Sequence, residues 1–249
     1  MTFLLKISYD GSSFSGWQRL PNARTVQGVI EAALTKMLNE PITIDGAGRT
    51  DAGVHALGQY ASFSTTRKIS LEKMQYAIGN FMPQDIQIVN VREIDASKHA
   101  RFHAMGKIYG YKMTHKPTPF NSKYKAALPA HLDEIKVRTA MKFFTGTHDF
   151  RTFMASGSKI QNTIRTISRF ELMVSEEEWY FEIEGDGFLY NMVRIIIGTL
   201  IDVGLGKIAP EEILEIIESY NRDKAKHTAP SCGLYLVDVL YPEEMSMKS

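Results

Sequence analysis

The chain has 249 residues, 44% of them apolar and 23% charged, a composition that supports a packed core and excludes a disordered chain. Its single cysteine, Cys232, excludes an intrachain disulfide and a cysteine-based zinc site, and its net charge of +1 selects no partner. No apolar run reaches the roughly 18 residues of a membrane span, because Arg194 and Asp202 interrupt the greasiest stretch, Met192 to Val203.

The N-terminus carries neither a charged leader region nor a cleavage site, so it does not read as a signal peptide. Phe3, Leu5, Ile7 and Tyr9 alternate at period two, which predicts a strand, and Asp10-Gly11 ends it with turn chemistry. Val26, Val29, Ile30, Ala33, Leu34, Met37 and Leu38 recur at helical spacing behind Thr25, a candidate N-cap. A short strand is expected over Ile42 to Ile44, then a glycine-rich loop, then a strand from Gln59 to Ser64. Ser70 caps a predicted helix carrying Leu71, Met74, Ile78 and Phe81, stopped by Pro83, and Ile86 to Val91 reads as a strand.

The second half repeats that order. A strand is expected from Lys107 to His115, and a helix through Val137, Ala140, Met141 and Phe144 ends at Gly146. Strands follow over Arg165 to Val174 and Trp179 to Gly185, and then a helix through Val193, Ile196, Ile197 and Leu200. A further short helix near Pro210 to Tyr220 precedes a last strand, Leu234 to Tyr241. Each half therefore reads β-α-β-β-α-β, the split-βαβ order of ferredoxin-like folds, repeated in elements but not in residues. The expected class is α+β: two ferredoxin-like halves, 1–104 with the glycine-rich loop and 105–249, related by a pseudo-two-fold. Their sheets would join around a central cleft, the natural ligand site.

Charge is unevenly spread. From Ala96 to Leu132 there is no acidic residue, while Lys98, Arg101, Lys107, Lys112, Lys116, Lys123 and Lys125 fall inside that window. Acidic residues collect at Glu171, Glu176, Glu177, Glu178, Glu182, Glu184 and Asp186. Such polarity suits a polyanion, and a solvated basic face accounts for it equally well.

The segment Gly48-Arg49-Thr50-Asp51-Ala52-Gly53-Val54-His55-Ala56 carries the chemistry. It lacks the Gly-Lys-Ser/Thr ending of a phosphate loop, and its glycines miss the dinucleotide fingerprint. Read locally, an Asp-Ala-Gly turn in which Asp51 caps its own backbone is the simpler account. The same segment resembles the signature of the tRNA pseudouridine synthase A family. That resemblance extends through Tyr9-Asp10-Gly11, Phe14, Gly16-Trp17-Gln18, Thr25-Val26-Gln27 and Ala100-Arg101-Phe102-His103-Ala104. It continues through Tyr109-Gly110-Tyr111, Asp149-Phe150, Phe153, Gly187 to Arg194, Gly198, Gly233 to Leu236 and Tyr241-Pro242. Ser231-Cys232 departs from it, at a place where the family is variable and often polar or acidic.

The resemblance implies isomerisation of uridine to pseudouridine at positions 38, 39 and 40 of the tRNA anticodon arm, in the cytoplasm, by a homodimer that needs no cofactor. It implies Asp51 as the catalytic carboxylate, acting on C1′ or on the 2′ proton of a flipped-out uridine. Arg194 would be its ion-pair partner, Tyr109 would pack on the uracil, and Arg49 would hold or replace the flipped base. Read locally, Arg49 could equally brace a turn, Arg194 could snorkel from a core helix, and Tyr111 could be core. Arg101, Lys107 and Lys112 are expected to meet tRNA phosphates. His99 and His103 lack a metal-site pattern and read as phosphate contacts or surface residues. Phe63, Phe150, Trp17 and Tyr235 read as packing. Two other readings stand beside this one: a non-catalytic tRNA-binding or chaperone protein on the same fold, and a nucleoside hydrolase.

Overall fold

The alternation of Phe3, Leu5, Ile7 and Tyr9 does produce a strand, β1 (Thr2–Tyr9), with all four side chains buried. The computed structural model describes residues 1–158 and 160–245, which fall into two units. One is Met1–Met105 together with the C-terminal segment from Tyr235, and the other is Gly106–Leu234. In the first, β1 is flanked by antiparallel neighbours, β3 (His55–Ser64) on one edge and β4 (Ile86–Ile94) on the other. Two short pairings share the far edge of β3. The last strand, β10 (Leu234–Leu240), runs parallel at His55 and Ala56, and β2 (Asp45–Gly46) runs antiparallel at Ala61 and Ser62.

Helix α1 (Val26–Leu38) starts where Thr25 accepts a hydrogen bond from the Gly28 N–H (3.3 Å), and it buries Val26, Ile30 and Leu34. It ends at Asn39, whose φ of +51° is the left-handed stop that asparagine tolerates. The expected strand over Ile42 to Ile44 does not form, because α1 takes its hydrogen bonds. Ile42 N–H donates to Thr35 Oγ1 (3.0 Å) and Ile44 N–H to Glu31 Oε1 (3.1 Å). The pairing to β3 starts only at Asp45. Helix α2 (Leu71–Ile78), capped by Ser70, packs Met74 and Ile78 inward, and a single 3₁₀ turn carries it to Phe81.

The second unit has the sheet order β5-β9-β8-β7, antiparallel throughout, formed by β5 (Gly106–Thr114), β7 (Gly146–Asp149), β8 (Ile164–Val174) and β9 (Glu178–Gly185). A two-residue strand, β6 (Ala126–Ala127), lies parallel to β5. Helices α3 (Glu134–Met141) and α4 (Met192–Gly204) pack together, and α5 (Glu212–Glu218) follows. α4 is the greasy stretch noted in the sequence. Ile195, Ile196, Ile197 and Leu200 are fully buried, so its apolar surface is core rather than membrane face. Among the described residues no helix is long and apolar enough to cross a membrane.

Candidate active site

The Gly48 to Val54 loop is held from beneath by the end of β1 and the segment that follows it. Gln59, fully buried, donates from Nε2 to Gly48 O (3.0 Å). Trp17 N–H donates to Thr50 O (3.0 Å), and the Thr50 hydroxyl shares a 2.8 Å hydrogen bond with the Tyr9 hydroxyl. Gly53 N–H reaches Phe14 O (3.4 Å), and the turn closes through the main chain, with Val54 N–H donating to Asp51 O (3.1 Å). Gly16 is required here. Its φ is +90°, and a Cβ would stand 2.8 Å from Thr50 O, so only glycine lets the opening segment run this close beneath the loop.

Asp51 is half-buried on this support and Arg49 is exposed. His55, 2% exposed, ends the loop. Its Nδ1 accepts from Gly11 N–H (3.1 Å) and lies 3.3 Å from Asp10 Oδ1, and its ring stacks on Tyr235 at 4.7 Å. The motifs separated in sequence as Tyr9-Asp10-Gly11, Gly16-Trp17 and Gly48 to Ala56 are thus one local structure. Tyr9, Thr50, Gln59 and His55 escaped sequence reasoning as supports because buried polar contacts leave no periodic trace.

Tyr109 and Arg194 stand in the second unit. Tyr109 shares a face of β5 with Tyr111, is nearly buried, and meets Phe188 edge to face at 5.2 Å. Arg194 sits in the first turn of α4, one turn beyond Asn191, whose φ of +58° starts the helix. Its guanidinium donates to Asn191 Oδ1 (2.8 Å) and to Ala229 O (2.7 Å), and Ala229 N–H returns a bond to Arg194 O (3.0 Å). These bonds exist because the chain crosses α4 in contact with its backbone. A Cβ on Gly198 would lie 2.3 Å from His227 O, so glycine at that position is what lets Ala229 reach Arg194. The Tyr111 hydroxyl donates to Pro230 O (2.8 Å) in the same crossing, and burial pushes its pKa up. Tyr111 is therefore a core anchor. Phe63, Phe150, Trp17 and Tyr235 are also buried, as expected of packing residues.

The basic window is less exposed as charge than its sequence suggests. Lys98 pairs with Glu244 (2.6 Å), Lys116 with Glu177 (2.5 Å) and Lys125 with Glu178. For Lys116 and Lys125 the cause is topological: β5 and β9 are neighbours, so that basic stretch and the acidic one lie side by side. Arg101 is exposed, while Lys107 and Lys112 are half-buried, and burial followed by the Lys125 charge lowers the Lys112 pKa. His99 is absorbed by its own turn. Its Nδ1 accepts from Arg101 N–H (3.0 Å) and its Nε2 lies 3.4 Å from Asp45 Oδ2, while His103 Nδ1 accepts from His99 N–H (3.2 Å).

Comparison with known proteins adds the family. The family model described as tRNA pseudouridine synthase matches residues 6–103 and 140–242. The tRNA pseudouridine synthase A of Acetivibrio thermocellus is 46% identical over 245 residues, which cover 95% of this chain and 98% of that protein. Its counterpart in Ruminiclostridium cellulolyticum is 45% identical over 246 residues, with 95% and 98% covered. That of Bacillus pumilus is 43% identical over 240 residues, with 94% and 97% covered. The chain belongs to the tRNA pseudouridine synthase family.

Proposed function

We propose that this member of the tRNA pseudouridine synthase family isomerises uridine to pseudouridine at positions 38, 39 and 40 of the tRNA anticodon stem-loop, with Asp51 as the catalytic carboxylate. The protein is an enzyme of the isomerase class. The observation that carries the role of Asp51 is the clamped loop: buried groups fix the backbone on both sides of it.

The chemistry is an internal transfer. The bond from C1′ to N1 of uracil breaks, the base turns, and a bond from C1′ to C5 forms. N1 gains a proton and C5 loses one, so the net redox state is unchanged. Positive character builds at C1′ as the glycosidic bond breaks, and an ionised carboxylate there stabilises it, by attack on C1′ or by taking the 2′ proton. Both routes need a fixed carboxylate and an extruded base.

Tyr109, Arg49 and Arg194 are the proposed uridine-binding residues. The edge-to-face contact with Phe188 supports a fixed ring at Tyr109, and the two bonds to Asn191 and Ala229 support a fixed guanidinium at Arg194. Arg101, Lys107 and Lys112 are proposed, with less support, to meet phosphates. The same reading takes the chain as two ferredoxin-like halves, 1–104 and 105–249. The order β4-β1-β3, with β2 paired along part of the far edge of β3, supports the first of them. A homodimer and a cytoplasmic location are proposed from the resemblance to the family.

The test is site mapping. Carbodiimide labelling of pseudouridine in tRNA from a deletion strain should lose its signal at 38, 39 and 40 only, and the gene should restore it. Loss at other positions, or no loss, contradicts the proposed site.

A further inference from the structure

We propose that the buried hydroxyl pair of Tyr9 and Thr50 is a positioning device for the carboxylate, with Tyr9 setting the place of Asp51 through Thr50. The inference rests on the assignment of Asp51 as the catalytic group. Tyr9 is 4% exposed, Thr50 is 6% exposed, and their oxygens are 2.8 Å apart. Thr50 is one peptide bond from Asp51 and is held twice, by its side chain to Tyr9 and by its carbonyl to Trp17 N–H (3.0 Å). The preceding constraint comes from Gln59, which holds Gly48 O (3.0 Å) while its own Oε1 accepts from Tyr60 N–H (3.0 Å). With the residue before Asp51 fixed at both ends, few torsions remain to place the carboxylate.

The strand does not require this pair. β1 is already hydrogen-bonded along both edges, and the Tyr9 ring packs near Trp17 at 6.2 Å whether or not it carries a hydroxyl. Burial raises the Tyr9 pKa well above that of an ordinary tyrosine, so the phenol stays protonated at working pH. Tyr9 therefore acts by geometry and exchanges no proton with the reaction. A phenylalanine at this position would keep the packing and lose the hydroxyl's contacts with Thr50 and Gln59.

The test uses the full-length protein in single turnover, with enzyme in excess over a tRNA transcript tritiated at uracil C5, since each isomerisation releases that hydrogen. Tyr9→Phe and Thr50→Val should each slow release by about 10- to 100-fold, the cost of a misplaced reacting group. Their affinity for tRNA, read by filter binding, should stay that of the parent protein. The double variant should be no slower than Tyr9→Phe, because Thr50→Val removes only a contact that Tyr9→Phe already removes. Thr50→Ser, which keeps the hydroxyl, should restore most of the rate. Asp51→Asn serves as the reference and should release no tritium.

Parental rates for Tyr9→Phe and Thr50→Val beside an inactive Asp51→Asn would overturn the positioning role alone. An active Asp51→Asn would overturn the catalytic assignment beneath it. A slowing matched by weaker tRNA binding, or one that Thr50→Ser does not restore, would also overturn the proposal, since it marks binding or packing instead.

Discussion

His55 shows how one buried side chain ties the Gly48 to Val54 loop to its surroundings. Its Nδ1 accepts from Gly11 N–H (3.1 Å). Leaving a buried N–H without its acceptor costs about 1–3 kcal/mol. Asparagine can place an oxygen near the Nδ1 position, whereas glutamine places one near Nε2. His55→Asn should therefore keep most of the unfolding free energy and activity, and His55→Gln should lose about 1–3 kcal/mol in urea denaturation. Equal losses in the two variants would show that the Gly11 contact is not what the ring supplies. At this scale the sequence exposed the loop but not its supports. Nothing in the spacing of Tyr9, Thr50 and Gln59 predicts that they converge. Their convergence depends on β1 and β3 lying side by side, a long-range pairing invisible to local pattern.

Among the elements, the periodic ones were legible and the short ones were not. α1, α4, β1 and β9 follow their apolar spacing closely. β7 was missed because Gly146-Thr147-His148-Asp149 has no apolar alternation, and β6 because two alanines carry no signal. The expected strand over Ile42 to Ile44 failed for a different reason, since Thr35 and Glu31 satisfy that backbone from the helix. α4 offers the sharpest test at this scale. Gly198→Ala would place a methyl carbon 2.3 Å from His227 O, which is backbone and cannot rotate away. The expected outcome is a destabilisation of about 1–3 kcal/mol, with loss of turnover because the crossing that holds Arg194 is pushed off. Unchanged unfolding free energy together with unchanged turnover would show that the crossing accommodates the methyl group at no cost.

For the whole molecule the net charge is misleading in one direction and the charge window in the other. A chain of net charge +1 can still bind a polyanion, but several lysines of the window are committed to carboxylates. The pairing of β5 with β9 explains the pairs of Lys116 and Lys125: strand order brings together charges that lie far apart in sequence. Affinity for tRNA should fall with salt on a log–log slope set by the phosphates neutralised. Substituting Arg101 by alanine should reduce that slope by about one and raise KM while leaving kcat in place. An unchanged slope would remove Arg101 from the phosphate contacts. The mixed α+β class and the family were both legible before the structure, because ordered motifs run along most of the chain. What the structure adds is why those motifs travel together in the first unit: they are the support of one loop.

The central claim is that Asp51 does the chemistry, and one measurement tests it most directly. Purified Asp51→Ala, with a circular dichroism spectrum and tRNA affinity matching the parent protein, is incubated with tRNA transcript tritiated at uracil C5, and released tritium and pseudouridine are counted. The account predicts release at background and no pseudouridine. Pseudouridine formed by this variant would contradict it.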